Sequence, residues 1–205
     1  MEIKVLSLGD IQSNCYLIST QNAAVVIDPG FDNIDVTNFL KNARDKERLI
    51  LLTHGHFDHI SGADALRHDT DTKIAIGSLE NYALSDTHYN LADLFGAKST
   101  PFSADILLED GEEFAVGDIT FKALCTPGHT VGGMCYLTGN FLFSGDTLFC
   151  RSIGRTDFLG GNYKALENSV KNLYSTLSDD TVVLSGHGEE TTIGQEKSQN
   201  PYIRG

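Results

Sequence analysis

The segment THGHFDH, at residues 53–59, concentrates ionisable side chains in a short stretch. It contains three imidazoles, from His54, His56 and His59, and the carboxylate of Asp58. Imidazole nitrogen and carboxylate oxygen are the ligand types of zinc sites and of comparable iron or manganese sites. A solvated histidine-rich loop is the alternative. Four such side chains crowded directly behind an apolar segment, residues 48–52, favour a catalytic metal site.

The spacing within this segment predicts how its side chains are shared out. In an extended backbone, residues i, i+2 and i+4 project to one side, so His54, His56 and Asp58 converge on a common volume. Residues 60–66 suit a helix, and a turn into that helix would swing Asp58 and His59 away from the first two histidines. The spacing therefore predicts two neighbouring subsites.

Three later residues repeat the pattern of a ligand-type side chain at the end of a predicted strand. They are His129, Asp146 and His187, and each lies beside glycine. Alone, each would more often be a turn residue than a ligand. Together with the first cluster they supply seven donors, which is enough for two metal ions that share one carboxylate.

Several elements must bring these residues together. Apolar or alternating segments predict strands at residues 3–8, 15–19, 23–28, 48–52, 73–77, 113–116, 119–124, 131–137, 141–146 and 181–185. Helical spacing predicts helices at residues 34–44, 60–66 and 163–177. Residues 78–103 give no clear pattern, and Asp28 is interpreted as a turn residue rather than a carboxylate near the metals. This order predicts one domain, residues 1–205, built as an α/β sandwich of two packed sheets with helices outside.

Composition excludes several classes of function. The net charge is −13 and Lys and Arg form no run, which argues against nucleic acid as a partner. No segment reaches the ~20 apolar residues of a membrane span, and the first residues lack a signal-peptide pattern, so a cytoplasmic protein is expected. The four cysteines form no CxxC pair and are expected to be reduced. His68 and His88 are interpreted as surface histidines.

The order of the seven donors resembles the metallo-β-lactamase-fold hydrolases over nearly the whole chain. The presence of Asp146 is most similar to the glyoxalase II (hydroxyacylglutathione hydrolase) branch. Further matches to its short bacterial members are GDTLF at 145–149, GRTD at 154–157, GHGEETTIG at 186–194 and NP at 200–201. The resemblance implies a four-layer αββα sandwich and two divalent metal ions, with zinc favoured over iron or manganese.

The resemblance also implies a role for each donor. His54, His56 and His129 would bind one metal ion, Asp58, His59 and His187 would bind the second, and Asp146 would bridge both. The expected reaction is cleavage of a hydroxyacylglutathione or a related small acyl thioester by a metal-bridging hydroxide. Asp58 would orient that hydroxide, so Asp58 and Asp146 are the expected catalytic residues.

Substrate recognition is less tightly specified by the family pattern. Full-length glyoxalase II proteins carry a C-terminal helical extension that contacts glutathione, whereas this chain stops soon after His187 and resembles the short form. Arg155 lies near the position of a basic glutathione contact in the family. It is expected to bind a substrate carboxylate or, equally, to form a structural salt bridge.

Two other functions fit the same residues. The segment GRTDF at 154–158 also resembles persulfide dioxygenases of the same superfamily, which use a single iron held by two histidines and one aspartate. A metal-binding protein without hydrolytic activity is the second alternative. A β-lactamase is disfavoured because the shared Asp146 is not a feature of that branch, and a di-iron electron-transfer module would have Glu in place of His56.

Overall fold

The computed structural model describes all 205 residues, and its first sheet has six strands in sequence order. These strands are β1 (Glu2–Leu8), β2 (Ser13–Ser19), β3 (Ala23–Ile27), β4 (Glu47–Leu52), β5 (Ile74–Gly77) and β6 (Ile106–Leu108). The first three strands are antiparallel, and β3 to β6 are parallel. The parallel strands are joined through α1 (Ile34–Lys41), α2 (Phe57–Ile60), α3 (Ala63–Thr70), a 3-10 helix (Ser78–Ser85) and α4 (Ala92–Phe95).

The second sheet also has six strands, and its order is β14-β13-β10-β9-β8-β7. Between its strands the chain forms a short ribbon and one long helix. The elements are β7 (Glu113–Val116), β8 (Ile119–Cys125), β9 (Met134–Thr138), β10 (Phe141–Gly145), β11 (Leu148–Phe149), β12 (Ser152–Ile153), α5 (Tyr163–Thr176), β13 (Val182–Ser185), β14 (Thr191–Thr192) and α6 (Ile193–Gln199). Only β10 and β13 pair in parallel, and α5 makes that crossover. None of the helices combines the length and hydropathy needed to cross a lipid bilayer.

Successive side chains of a strand point to opposite faces of its sheet. The two sheets therefore have three apolar layers, one between them and one on the outer face of each. Val25 and Ile27 of β3 point between the sheets, where they meet Phe121 and Tyr136 of the second sheet. The intervening Val26 packs with residues of α1 and α3 on the outer face. The outer face of the second sheet packs against Leu166, Val170 and Leu173 of α5. Helix, sheet, sheet and helix therefore form four layers, and the predicted α/β sandwich is confirmed.

The structure differs from the sequence prediction at several element ends. Helix α1 ends at Lys41 instead of residue 44, and the helix predicted at 60–66 is two short helices. The two helices are separate because Gly62, which lies between them, packs tightly against Phe31 and Pro29. The carbonyl of Pro29 accepts the N–H of Gly62 at 2.9 Å. The polar tail also forms β14 and α6, which are too short to give a clear hydrophobic period. Buried Glu196 holds this tail through the backbone N–H of Arg151 and the side chain of Asn200.

Glu80, in the 3-10 helix, connects the two loops that follow β4 and β8. One carboxylate oxygen accepts the N–H of Gly55 at 2.9 Å, and the other accepts the N–H of Gly132 at 2.7 Å. Only 1% of Glu80 is exposed. Burial raises the pKa of this carboxyl, while its backbone donors act in the opposite direction. Glu80 therefore fixes the distance between two loops that carry metal-ligand candidates, His54 and His56 on one and His129 on the other.

Glu80→Ala is expected to destabilise the fold because it leaves two buried N–H groups without an acceptor. An unsatisfied buried polar group costs about 1–3 kcal/mol, so we expect the free energy of unfolding to fall by about 2–6 kcal/mol. Glu80→Gln retains one acceptor oxygen, so its free energy of unfolding should fall by about half as much. Urea unfolding in the presence of a chelator measures this effect without a contribution from bound metal.

Glu109→Ala is the matched control, because Glu109 is exposed and its side chain makes no hydrogen bond. It should change the free energy of unfolding by less than about 0.5 kcal/mol. Equal urea midpoints for Glu80→Ala and Glu109→Ala would contradict the connecting role of Glu80.

Candidate metal centre

The seven predicted ligands all lie at one edge of the sandwich, where strands end. His54 and His56 follow β4, and helix α2 then carries Asp58 and His59. The other three follow β8, β10 and β13 and are His129, Asp146 and His187. The carboxyl ends of parallel strands meet at the same edge of a sheet, which is where α/β proteins commonly bind ligands. By contrast, His68 and His88 are exposed and lie outside this group, as predicted.

Three buried imidazoles form the first group of donors. Nδ1 of His56 lies 3.1 Å from Nε2 of His54 and 2.9 Å from Nε2 of His129. The ring planes of His56 and His129 are nearly perpendicular, at 86°. Three nitrogens therefore converge on one small volume, which is the arrangement of a histidine-rich metal site.

The second group contains Asp58, His59 and His187. Oδ2 of Asp58 lies 3.4 Å from Nε2 of His59 and 3.2 Å from Nε2 of His187. The two imidazole nitrogens are 3.4 Å apart. Helix α2 begins at Phe57, so Asp58 and His59 lie on a helical turn while His54 and His56 lie in the loop before it. The rings of His54 and His59 remain in contact, with their centroids 4.3 Å apart.

Asp146 lies between the two groups and approaches both. Its Oδ1 is 3.4 Å from Nε2 of His59, and its Oδ2 is 3.5 Å from His129 and 3.6 Å from His187. Oδ1 is buried and has no hydrogen-bond partner. A Cβ atom on Gly186 would lie 2.1 Å from this oxygen, so only glycine permits the approach. An unpartnered buried carboxylate oxygen among imidazole nitrogens fits a bound cation.

Hydrogen bonds on the far side of the rings orient the histidines. Oδ2 of Asp28 lies 3.0 Å from Nδ1 of His59, and the backbone carbonyl of Arg155 lies 2.7 Å from Nδ1 of His129. Thr53 donates to Asp28 through its backbone N–H and its hydroxyl. Such contacts leave Nε2 free to bind a metal ion.

Asp28 therefore does more than the turn role predicted for it. Its φ of +51° does place it in a turn conformation, but its buried carboxylate also supports His59. The sequence could not show this because Thr53 and His59 reach Asp28 only after β3 and β4 pair.

Electrostatics differ between the two groups of donors. Burial lowers the pKa of His54 and His56 well below the ordinary value, so both rings are neutral, the form that binds metal. Burial acts in the same direction on His59, but the carboxylates of Asp58 and Asp146 outweigh it and raise the pKa of His59 well above its ordinary value. Without a cation, a proton thus offsets the charge of these carboxylates. A divalent ion would replace that proton, and each of the two donor groups fits a metal ion.

A cavity of about 470 Å³ opens above the donors. Five donors form its polar floor, namely His56, Asp58, His129, Asp146 and His187, and its walls contain Ile11, Phe57, Leu91, Phe95, Phe149, Ile153, Arg155 and Phe158. Arg155 forms a bidentate ion pair with Asp157, with both N–O distances at 2.8 Å, and stacks on Phe158. Of the two roles expected for Arg155, the structure thus contains the salt bridge. Sequence reasoning missed the apolar wall residues, because they carry no reactive group.

Comparison with known proteins agrees with this geometry. The family described as "Metallo-beta-lactamase superfamily" matches residues 8–187. The chain is 35% identical to the probable metallo-hydrolase YqgX of Bacillus subtilis, covering 100% of this chain and 99% of the relative. It is 33% identical to the hydroxyacylglutathione hydrolase GloC of Haemophilus influenzae, with 99% and 98% coverage.

Solved structures with the same fold carry different functional names. The B3 metallo-beta-lactamase BLEG-1 is 40% identical, with a TM-score of 0.91 and full coverage of both chains. ETHE1 from Myxococcus xanthus is 31% identical, with a TM-score of 0.81 over 99% of this chain and 84% of that one. TTHA1623, in a di-iron-bound form, is 33% identical, with a TM-score of 0.84 and 98% and 100% coverage. Sequence, fold and site geometry together show that the chain belongs to the metallo-beta-lactamase superfamily.

Proposed function

We propose that this chain is a dinuclear-metal hydrolase that cleaves an acyl thioester of the hydroxyacylglutathione type or a related small acyl thioester. The position of Asp146 carries the proposal, because one carboxylate lies within 3.4–3.6 Å of histidines from both donor groups. In this proposal, His54, His56 and His129 hold one ion and Asp58, His59 and His187 hold the other. Asp146 is shared by the two. The similarity to GloC supports the choice of reaction.

Two divalent ions bound there would supply an activated water molecule at neutral pH and would polarise the substrate carbonyl. Zinc suits the nitrogen-rich donor set, and iron or manganese fits it as well. Hydrolysis forms a bond between the water oxygen and the acyl carbon and breaks the C–S bond. The products are a carboxylic acid and a thiol.

The protein residues contribute position and charge to this reaction. The imidazoles of His59 and His187 outweigh the effect of burial and keep the pKa of Asp58 well below its usual range, so Asp58 stays ionised. An ionised Asp58 on the cavity floor can accept a hydrogen bond from the attacking water and orient it. Thiols have a pKa near ~8.5 and leave readily as thiolates, so no additional general acid is required.

A mononuclear-iron persulfide dioxygenase is the second candidate, and the similarity to ETHE1 favours it. The two candidates share their ligand residues but differ in metal count and in oxygen use. The similarity to BLEG-1 makes β-lactam hydrolysis a further activity to measure. A protein that binds metal without hydrolysing any of these substrates is the remaining alternative.

Freshly isolated protein should contain two divalent metal ions per chain and hydrolyse S-D-lactoylglutathione. A chelator should abolish turnover, and zinc should restore it, because both donor groups need a cation. Elemental analysis and thiol release measure the two quantities. A single iron with oxygen uptake on glutathione persulfide would instead establish the dioxygenase. Turnover of a chromogenic cephalosporin but of no thioester would establish a β-lactamase.

Asp146→Ala should weaken binding of both metal ions, because it removes the shared ligand. Mutation of a residue that merely orients a metal ligand lowers metal affinity or activity about 10–100-fold. Because Asp146 would be a ligand itself, we expect kcat/KM to fall by more than about 100-fold. Zinc should raise the melting temperature of the chelator-treated wild type and should raise that of Asp146→Ala much less. Asp45→Ala, at an exposed aspartate, is the control. Two tightly held ions and full turnover in Asp146→Ala would refute the shared ligand.

A further inference from the structure

The cavity above the metal-ligand candidates has a polar floor and mainly apolar walls. We call one group of these apolar side chains the aromatic wall. It consists of three phenylalanines and one leucine: Phe57, Phe95, Phe158 and Leu91. Ile11, Phe149 and Ile153 also line the cavity. Its volume of about 470 Å³ lies within the usual range for small-molecule pockets. A ligand held over the floor therefore meets hydrocarbon on its flanks.

Ring contacts connect the aromatic wall to the donor residues. The ring centroids of Phe57 and Phe95 are 5.3 Å apart, and those of Phe95 and Phe158 are 6.1 Å apart. Phe158 in turn lies 6.2 Å from the imidazole of His56. Phe95 is 51% exposed, so part of this wall is in contact with water when the cavity is empty. An apolar group placed against it would remove that surface from water.

The walls of the cavity contain no unpaired cationic side chain that could bind an anionic substrate tail. Arg155 is the one Lys or Arg side chain that lines it, and its Nε and Nη2 are both bound to Asp157. Arg155 holds the pKa of Asp157 to about 2, so the pair is ionised and neutral overall near pH 7. The carboxylates of glutathione would need cationic partners, and the chain as a whole carries a charge of −13. Nη1 of Arg155 makes no hydrogen bond, so it can donate to an oxygen acceptor of the substrate.

We infer that the cavity selects thioesters whose acyl group is an apolar, uncharged chain, in preference to hydroxyacyl groups carried by glutathione. This inference rests on the proposed thioester hydrolysis and specifies its substrate class. The acyl chain lies against the aromatic wall while the carbonyl lies over the donor residues. Arg155 contributes its Nη1 hydrogen-bond donor to an uncharged part of the substrate.

A series of thioesters of N-acetylcysteamine, a small uncharged thiol, tests this selection with zinc-loaded protein. Each buried methylene contributes enough to raise kcat/KM about fourfold, so acetyl, butanoyl and hexanoyl thioesters should be hydrolysed with increasing efficiency. S-hexanoyl-N-acetylcysteamine should also exceed S-D-lactoylglutathione. Equal kcat/KM along the series, or a preference for S-D-lactoylglutathione, would overturn the inference.

Phe95→Ser tests the aromatic wall itself, and Leu94→Ser is its matched control. Both residues lie on α4 and are exposed, but only Phe95 lines the cavity. Phe95→Ser should lower kcat/KM for the hexanoyl thioester about tenfold and flatten the dependence on chain length. Leu94→Ser should leave that dependence unchanged. Identical slopes for wild type and Phe95→Ser would overturn the assignment of the wall.

Binding of non-hydrolysable analogues separates failure of this inference from failure of the proposed function. In these analogues a methylene group replaces the thioester sulfur, and calorimetry measures their Kd. A Kd that falls about fourfold per added methylene without any thioester turnover would support the apolar pocket and refute thioester hydrolysis. A Kd independent of chain length, together with thioester turnover, would refute the pocket and retain the function.

Discussion

The site depends on one electrostatic constraint: several lone pairs and two carboxylates converge on one small, largely buried volume. Asp58 and Asp146 both approach Nε2 of His59 within 3.4 Å. Such an assembly is unfavourable on its own, because buried acceptors without donors are costly. Either protons or cations must offset it. Protonation of His59, whose pKa is raised by the two carboxylates, is one way to offset it. Metal binding is the other, and the donor types are suited to it.

The two sheets provide the framework that keeps these groups together. Each loop or helix that carries a ligand candidate follows a strand whose residues are fixed by cross-strand hydrogen bonds and by an apolar layer on at least one face. Tight approaches then bring the loops into contact. At Gly145, φ is +47° and an added Cβ would lie 2.4 Å from the Thr53 hydroxyl. Because Gly145, and Gly186 beside Asp146, have no side chain, neighbouring groups can pack directly against their backbone. The loops can therefore approach each other without displacing a ligand.

At the same edge of the sandwich, different elements supply the floor and the walls of the cavity. The floor of the cavity comes from strand ends and α2, whereas Phe95 comes from α4 and Phe158 from the loop before α5. Relatives of similar fold carry names as different as hydroxyacylglutathione hydrolase, ETHE1 and B3 metallo-beta-lactamase. In this chain, the side chains that line only the walls of the cavity can change without disturbing the metal-ligand candidates, so proteins of one fold can differ in substrate.

The sequence by itself determined the donor types, and it predicted a division of residues 53–59 into two subsites from local spacing and the period of an extended strand. It also determined the αββα architecture, through the alternation and order of apolar segments. Only the tertiary structure decided the roles of Asp28 and Glu80. Asp28 contacts His59 31 residues away, and Glu80 joins Gly55 and Gly132, which are 77 positions apart. Such contacts exist only once the sheets have paired, and no local pattern encodes them.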